Sequence, residues 1–415
     1  MTKPSGDAAQ AIARALTPLP DGPLGVAVSG GSDSLSLLLL AHDLLGPDRL
    51  RAVTVDHGLR PEAAGEAAFV ARICAAQGIA HTTVHWKGWD GQGNLPDRAR
   101  RARYALIAEW AQSQGIGAVA LGHTADDQAE TLLMRLGRGA GAEGLAAMSD
   151  RRVIHGVTFL RPLLTERREV LRDLLRVRGQ TWVDDPTNDD TRFDRPRLRK
   201  ALPDLAALGL TVEALTTTAR NLRSASDTLA HYAEQEAARH LRIDGPDVLI
   251  DPAALDILPP EITRRLLQAA LRWIAGGDYP PRSAALDRFT EALRAGDAVT
   301  LAGVFASPAK GMIRLTREPG AVAALIADPG TPWDGRWQVD GPFGPGDQIR
   351  ATGAAGLRAV PDWRETGLSR TTLMAAPAVW QGEDLRAAPL AGHTAGFTAK
   401  LIRTAEDFRA TLRTH

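Results

Sequence analysis

Ser29-Gly30-Gly31-Ser32-Asp33-Ser34 brings together two glycines, three hydroxyls and one carboxylate near the start of the chain. Glycines let backbone N–H groups approach an anion closely. The serines add donors, and a following helix would add the positive end of its dipole. The hexapeptide comes after a short apolar run, Gly25–Ser29, and leads into a helical pattern from Ser34 to Leu45, so it reads as a phosphate cradle. No Gly-Lys-Ser/Thr closes it and its glycines lack the GxGxxG spacing, which excludes a Walker loop and a dinucleotide fingerprint. The simpler alternative is a Ser/Asp-capped helix after a glycine turn. Asp33 is expected in an exposed loop.

A second group lies in Gly122-His123-Thr124-Ala125-Asp126-Asp127-Gln128-Ala129-Glu130-Thr131. On a helix, Asp126 and Glu130 (four apart) share a face, as do Asp127 and Glu130 (three apart). Such carboxylates can hold Mg²⁺ or grip a cationic substrate, or they can simply complement the helix dipole. Arg100 and Arg103 also share a helix face, which suits phosphate contact or plain solvation. Asp56, in Val55-Asp56-His57-Gly58-Leu59-Arg60, ends a strand pattern and is a candidate for Mg²⁺ or a cationic substrate. His57 is a candidate nucleotide contact, or a capping or packing residue. Arg161-Pro162-Leu163-Leu164 and Trp182-Val183-Asp184-Asp185-Pro186-Thr187-Asn188 complete the series.

These groups need elements to position them. Strand patterns at Gly25–Ser29, Ala52–Asp56, Thr82–His85 and Ala118–Leu121 alternate with helical ones at Ser34–Leu45, Glu62–Gln77, Asp97–Ser113 and Ala125–Leu136. This alternation predicts an α/β fold with a parallel sheet covered on both faces. Ligands of such sheets bind at the carboxyl ends of the strands, where most of the motifs fall. Pro196, Pro203 and Gly209 mark a change of style. Thr211–Leu241, Pro260–Trp273 and Ala284–Arg294 read as helices, and after about Gly320 short apolar runs among Gly and Pro read as strands. The expected domains are 1–205, catalytic; 206–319, helical; and 320–415, small and strand-rich.

In order and spacing, the motifs resemble the N-type ATP pyrophosphatases, and within them the tRNA(Ile)-lysidine synthetases, over about residues 24–205. The resemblance implies a Rossmann-like ATP-pyrophosphatase domain. ATP would sit on Ser29, Gly30, Gly31, Ser32, Asp33 and Ser34, with Asp56, His57, Arg100 and Arg103 nearby. Asp33, Asp126, Asp127 and Glu130 would be catalytic, with Mg²⁺ on Asp33 and Asp127. The implied substrates are a tRNA(Ile) with a CAU anticodon, free L-lysine and ATP. The wobble cytidine would be adenylated and lysine would then displace AMP to give lysidine. Two positions depart from the family pattern. Thr124 stands where a second histidine is usual, so any role of that histidine is absent or moved. Arg195-Pro196 stands where Arg-Asn is usual.

Composition bounds the rest. The 415 residues carry 49 basic and 49 acidic side chains, so global charge does not point to nucleic acid. Residues 151–200, however, carry 13 basic against 8 acidic side chains. There Arg192, Arg195, Arg197, Arg199 and Lys200 are candidates for the phosphates of tRNA, against the reading of a solvated arginine-rich surface. One cysteine, Cys74, excludes a disulfide framework and leaves a tRNA thiolation enzyme of the same superfamily without ligands or a resolving thiol. A catalytically inactive tRNA-binding protein is the other rival. No signal peptide or apolar run of membrane-spanning length is read, so no membrane partner and a cytoplasmic location are expected. A homodimer is left open. The nine tryptophans are scattered and read as packing residues.

Overall fold

The computed structural model describes all residues except 1–4, 18–21, 60–61, 88, 90–93, 185–193, 278–280 and 414–415. Asp185–Asn188 of the last motif and Arg192 therefore lie outside the described residues. The chain forms two compact units, Met1–Ser226 and Asp227–Thr414.

The first unit opens with α1 (Ser5–Ala15), β1 (Leu24–Ala27), α2 (Ser32–Leu45), β2 (Leu50–Asp56), α3 (Ala63–Ala76), β3 (Ala80–His85), α4 (Leu95–Ser113), β4 (Ala118–Leu121) and α5 (Ala125–Leu136). After α6 (Ala142–Leu145) come a hairpin of β5 (Arg151–Ile154) and β6 (Val157–Leu160), then α7 (Arg168–Val177), α8 (Asp194–Ala207) and the start of α9 (Val212–His240). The sheet order is β3-β2-β1-β4-β6-β5. All neighbours are parallel except the β5–β6 pair. The order reverses between β1 and β4, where a crevice forms in sheets of this kind.

Alternation along the strands sends side chains to two apolar layers. Leu24, Val26, Ala118 and Ala120 pack with Leu35, Leu38, Val70 and Leu171 from α2, α3 and α7. Val53, Val119, Leu121 and Phe159 pack with Tyr104, Ile107 and Trp110 of α4 on the other face. These layers fix the strand ends, and hence the loops that follow them. Cys74 is buried in the first layer. Burial pushes its thiol up to about 11, which suits packing and not thiolate chemistry.

In the second unit α11 (Pro260–Ala275) and α12 (Ser283–Ala295) have the expected helical form, and α10 (Ala254–Ile257) is one short turn. The stretch 206–319 also holds a five-stranded antiparallel sheet of β7 (Leu241–Asp244), β8 (Asp247–Ile250), β9 (Val299–Leu301), β10 (Val304–Ala309) and β11 (Met312–Arg317). It packs Val248, Ile250, Ala306 and Leu315 against Leu266, Trp273 and Phe289. The final stretch is strand-rich, as expected. It contains β12 (Ile326–Ala327), β13 (Trp337–Asp340), β14 (Asp347–Ala351), β15 (Pro377–Gln381), β16 (Asp384–Ala387) and β17 (Thr398–Leu401), with short helices between them. Trp110, Trp273, Trp333, Trp337 and Trp380 are all buried, so these rings serve packing. No described helix is long and apolar enough to cross a membrane.

Candidate functional site

The motifs converge because the strands that carry them end together. Residues 29–34 follow β1, Asp56 ends β2 with His57 next to it, residues 122–131 follow β4, and Arg161 follows β6. Gly30 turns the first loop with φ +90°, a conformation open to glycine at no steric cost. Inside the loop the Ser34 hydroxyl donates to the Gly31 carbonyl at 3.0 Å and accepts the Ser29 N–H at 3.1 Å. Gly31 is the N-cap of α2 and supplies no side chain to its first-turn N–H groups. These amides form an anion site of the kind helix N-termini provide. A Cβ on Gly122 would lie 2.9 Å from both the Cα and the N of Ser34. The absence of a side chain there lets the β4 loop sit directly on the β1 loop.

Asp33 is the second residue of α2 and its side chain is 19% exposed. This corrects the expectation of an exposed loop residue. Its carboxylate meets Arg168, the first residue of α7, at 2.9 Å. The same guanidinium reaches Asp127 at 3.0 Å and Glu130 at 3.6 Å. One arginine thus ties the phosphate-type loop to the acidic helix. Burial, opposed by Arg168, raises the Asp33 carboxyl above its ordinary range, and the nearby Asp127 charge adds to the rise. Burial works against the charge on Arg168, but Asp127, Asp33 and Glu130 outweigh it and hold the guanidinium above its usual range.

The three acidic residues of α5 are not equivalent. Asp127 closes a capping box: its Oδ2 accepts the Thr124 N–H at 2.8 Å and the Thr124 hydroxyl at 2.9 Å, and its Oδ1 is left for Arg168. Thr124 is therefore an N-cap. Asp126 turns toward α7, accepting the Arg168 N–H at 2.7 Å and pairing with Arg167 at 3.2 Å. Glu130 is fully buried, and its Oε1 takes Arg199 at 2.9 Å. Its Oε2 has no hydrogen-bond partner among the described residues.

A second cluster is cationic. The Tyr104 hydroxyl accepts from Arg161 at 3.2 Å and lies 3.5 Å from Arg100, and the Arg100 and Arg103 guanidiniums stand 5.3 and 5.5 Å from the Tyr104 ring centre. Burial would raise the phenol, but Arg100, Arg161 and Arg103 overcome it and bring it down to about 8. Burial, with Arg103, Arg161, Arg100 and Arg195, drives His123 well below its ordinary range, so the imidazole is neutral. Burial also lowers Arg103, with Arg100 and Arg195 adding repulsion and Tyr104 opposing. Among the described residues no carboxylate pairs with Arg100, Arg103 or Arg161, and the Nε atoms of Arg103 and Arg161 and Nδ1 of His123 are buried without partners.

The other candidates divide. Asp56 accepts the Gly58 N–H at 2.8 Å and lies 3.4 Å from His85, so it holds its own turn. His57 packs edge-on to Trp86, and burial, with the charge of Arg103 from the cationic cluster, lowers its pKa. Arg195 joins the cationic cluster. Arg197 pairs with Asp194, and Lys200 is exposed. Arg199, 34% exposed, is paired with Glu130. Sequence reading missed Arg168 and the close approach at Gly122. Arg161 was read only as part of a motif, without its contact to Tyr104.

The fold and the loop define a PP-loop ATP-binding protein, and the PP-loop domain family model (ATP_bind_3) matches residues 4–205. The tRNA(Ile)-lysidine synthase of Ruegeria pomeroyi is 50% identical over 394 residues, covering 94% of this chain and 94% of that protein. That of Zymomonas mobilis is 42% identical and covers 68% of this chain and 85% of its own. Among solved structures, the U34-tRNA thiolase NcsA of Methanococcus maripaludis, with its [4Fe-4S] cluster, is 18% identical. It covers 52% of this chain and 77% of its own, at a TM-score of 0.46. This chain belongs to the tRNA(Ile)-lysidine synthase family.

Proposed function

We propose that the chain ligates lysine to C2 of the wobble cytidine of a tRNA(Ile) with a CAU anticodon, at the expense of ATP. The observation that carries this reading is the meeting of the 29–34 loop with the acidic α5 helix across Gly122, in one crevice at the β1/β4 switch point. An ATP site and a cation site must touch if a nucleotide-activated base is to be handed to an amine. The loop amides and the serine hydroxyls hold the β,γ-phosphates. The cytidine C2 oxygen attacks the α-phosphorus and pyrophosphate leaves. The lysine ε-nitrogen, as the free amine, then attacks C2 and AMP departs with that oxygen, leaving the C–N bond of lysidine.

Asp33 and Asp127 present hard oxygen donors close to one another, which fits Mg²⁺. The ion, when bound, would offset charge between these carboxylates and the phosphates. Asp127 and Glu130 receive the ammonium groups of lysine. Arg100, Arg103 and Arg161 give developing phosphate charge a preorganised cationic wall. Arg195, Arg197 and Lys200 are assigned to the tRNA backbone, while Arg192 of the same basic segment lies outside the described residues. Residues 206–319 and 320–415 are assigned to tRNA positioning, leaving the chemistry to 1–205.

The test is incorporation of radiolabelled lysine into a panel of CAU-anticodon tRNAs with ATP present. The expected result is ATP-dependent labelling of the isoleucine tRNA and not of elongator methionine tRNA. Labelling of neither, with pyrophosphate still released, would point to a different acceptor nucleophile.

A further inference from the structure

Arg168 has no place in the chemistry above, yet its side chain is only 15% exposed and meets carboxylates from both halves of the site. It opens α7, where a cation opposes the helix dipole, so the three carboxylates are what hold it. Its backbone is anchored separately: its N–H donates to Asp126 at 2.7 Å, and the neighbouring Arg167 pairs with Asp126 and Glu213. The guanidinium can therefore leave while the helix start stays in place.

We propose that Arg168 is a latch that imitates the substrate amine: without nucleotide its guanidinium fills the cation position on Asp127 and Glu130, and nucleotide binding at the Asp33 end draws it away. The inference rests on the assignment of those two carboxylates to lysine. The charges favour an exchange. Asp33, Asp127 and Glu130 bring three negative groups against two cations, Arg168 and Arg199. With Arg168 present there is little deficit for a diammonium substrate to fill. With Arg168 shifted to the phosphates beside Asp33, Asp127 Oδ1 is freed for Mg²⁺ or an ammonium group, and the buried, unpartnered Oε2 of Glu130 is the acceptor left to lysine alone. The consequence is ordered addition, with nucleotide first and lysine second. Lysine is then admitted only when an activated tRNA can form.

A closed latch weakens the apparent affinity for lysine by the fraction of open molecules, so a chain open about one time in a hundred binds lysine about 100-fold less tightly. The experiment is equilibrium dialysis of radiolabelled lysine against the full chain, with and without Mg²⁺ and α,β-methylene ATP. The wild type should bind lysine at least about tenfold more tightly with the analogue. Arg168→Met should bind lysine without the analogue as tightly as the wild type does with it, whereas Arg168→Lys should keep the nucleotide dependence. Arg168→Gln repeats the test should the methionine variant not fold. A neutral variant that folds and still needs the analogue, or binds lysine more weakly in both states, overturns the latch. Glu130→Gln in the same assay separates the two levels. Its loss of lysine binding in both states supports the underlying assignment, and normal binding removes that assignment together with the latch.

Discussion

Two charge clusters occupy the carboxyl ends of one parallel sheet, and they are balanced in opposite ways. Around α5 every carboxylate has an arginine: Asp126 has Arg167, Asp127 has Arg168, and Glu130 has Arg199 and Arg168. Around Tyr104 the arginines gather with no described carboxylate, against a neutral histidine and a phenol. A neutralised cluster stands without a ligand and must rearrange to accept one. An unneutralised one is costly when empty and is repaid by an anion. The acidic site should accordingly contribute to stability and be gated, while the cationic site should be open and hold the fold under electrostatic load.

The strongest way to break this contrast is Glu130→Ala. It leaves Arg199 and Arg168 short of a buried partner and should cost about 3–5 kcal/mol in urea denaturation. A loss below about 1 kcal/mol would mean that the pairs are not coupled to the fold. Gly122→Ala sharpens the claim that the two loops are in contact. Its Cβ would meet Ser34 backbone, so we expect about 1–3 kcal/mol of destabilisation and slower pyrophosphate release, with the lysine KM unchanged. Arg103→Met should do the reverse of Glu130→Ala, raising the denaturation midpoint by about 1 kcal/mol in free energy. It should also weaken nucleotide or tRNA binding and lower the slope of log K against log salt by about 0.7–0.9. Lower stability in this variant would place an anion-independent partner on Arg103.

The smallest effect concerns Asp33. Its folded pKa is raised, so the folded chain binds more protons than the unfolded one between the ordinary and the raised value. Stability therefore falls as pH rises through that window. Asp33→Asn should be slightly more stable than the wild type at neutral pH, and the gap should close below the ordinary carboxylate range. A pH-independent difference in thermal midpoint would locate the effect in the hydrogen bonds of Ser32 and Arg168 instead.

Elements with strong periodic signals could be read directly. β4 and α5 fall at the expected residues, and α4 begins two residues early because Asn94 caps it. The loop and the acidic trio were legible because each is a run of specialised residues after a strand. α7 carries Leu171, Leu174 and Leu175 at helical spacing, but its arginines drew the reading toward charge. Arg168 had no motif to reveal it, since its importance arises from Asp33, Asp127 and Glu130, which only the closed sheet brings near. Strands β7–β11 were hidden for a related reason. They are three to six residues long, and although β7–β8, β9–β10 and β10–β11 are hairpins, the two hairpin groups meet only where β8 pairs with β11, far along the chain. Short strands owe their identity to their partners and not to their own composition.

One crevice activates the base at its loop and, on the proposed reading, delivers the amine at its acidic helix. The most direct test is a single-turnover reaction of Glu130→Gln with ATP, Mg²⁺, labelled lysine and a CAU-anticodon tRNA(Ile). Pyrophosphate and incorporated lysine are both quantified. The expected result is about one pyrophosphate per active site, accumulation of adenylated tRNA, and lysine incorporation reduced about 100-fold or more. Equal loss of both products, or normal lysine incorporation, would contradict it.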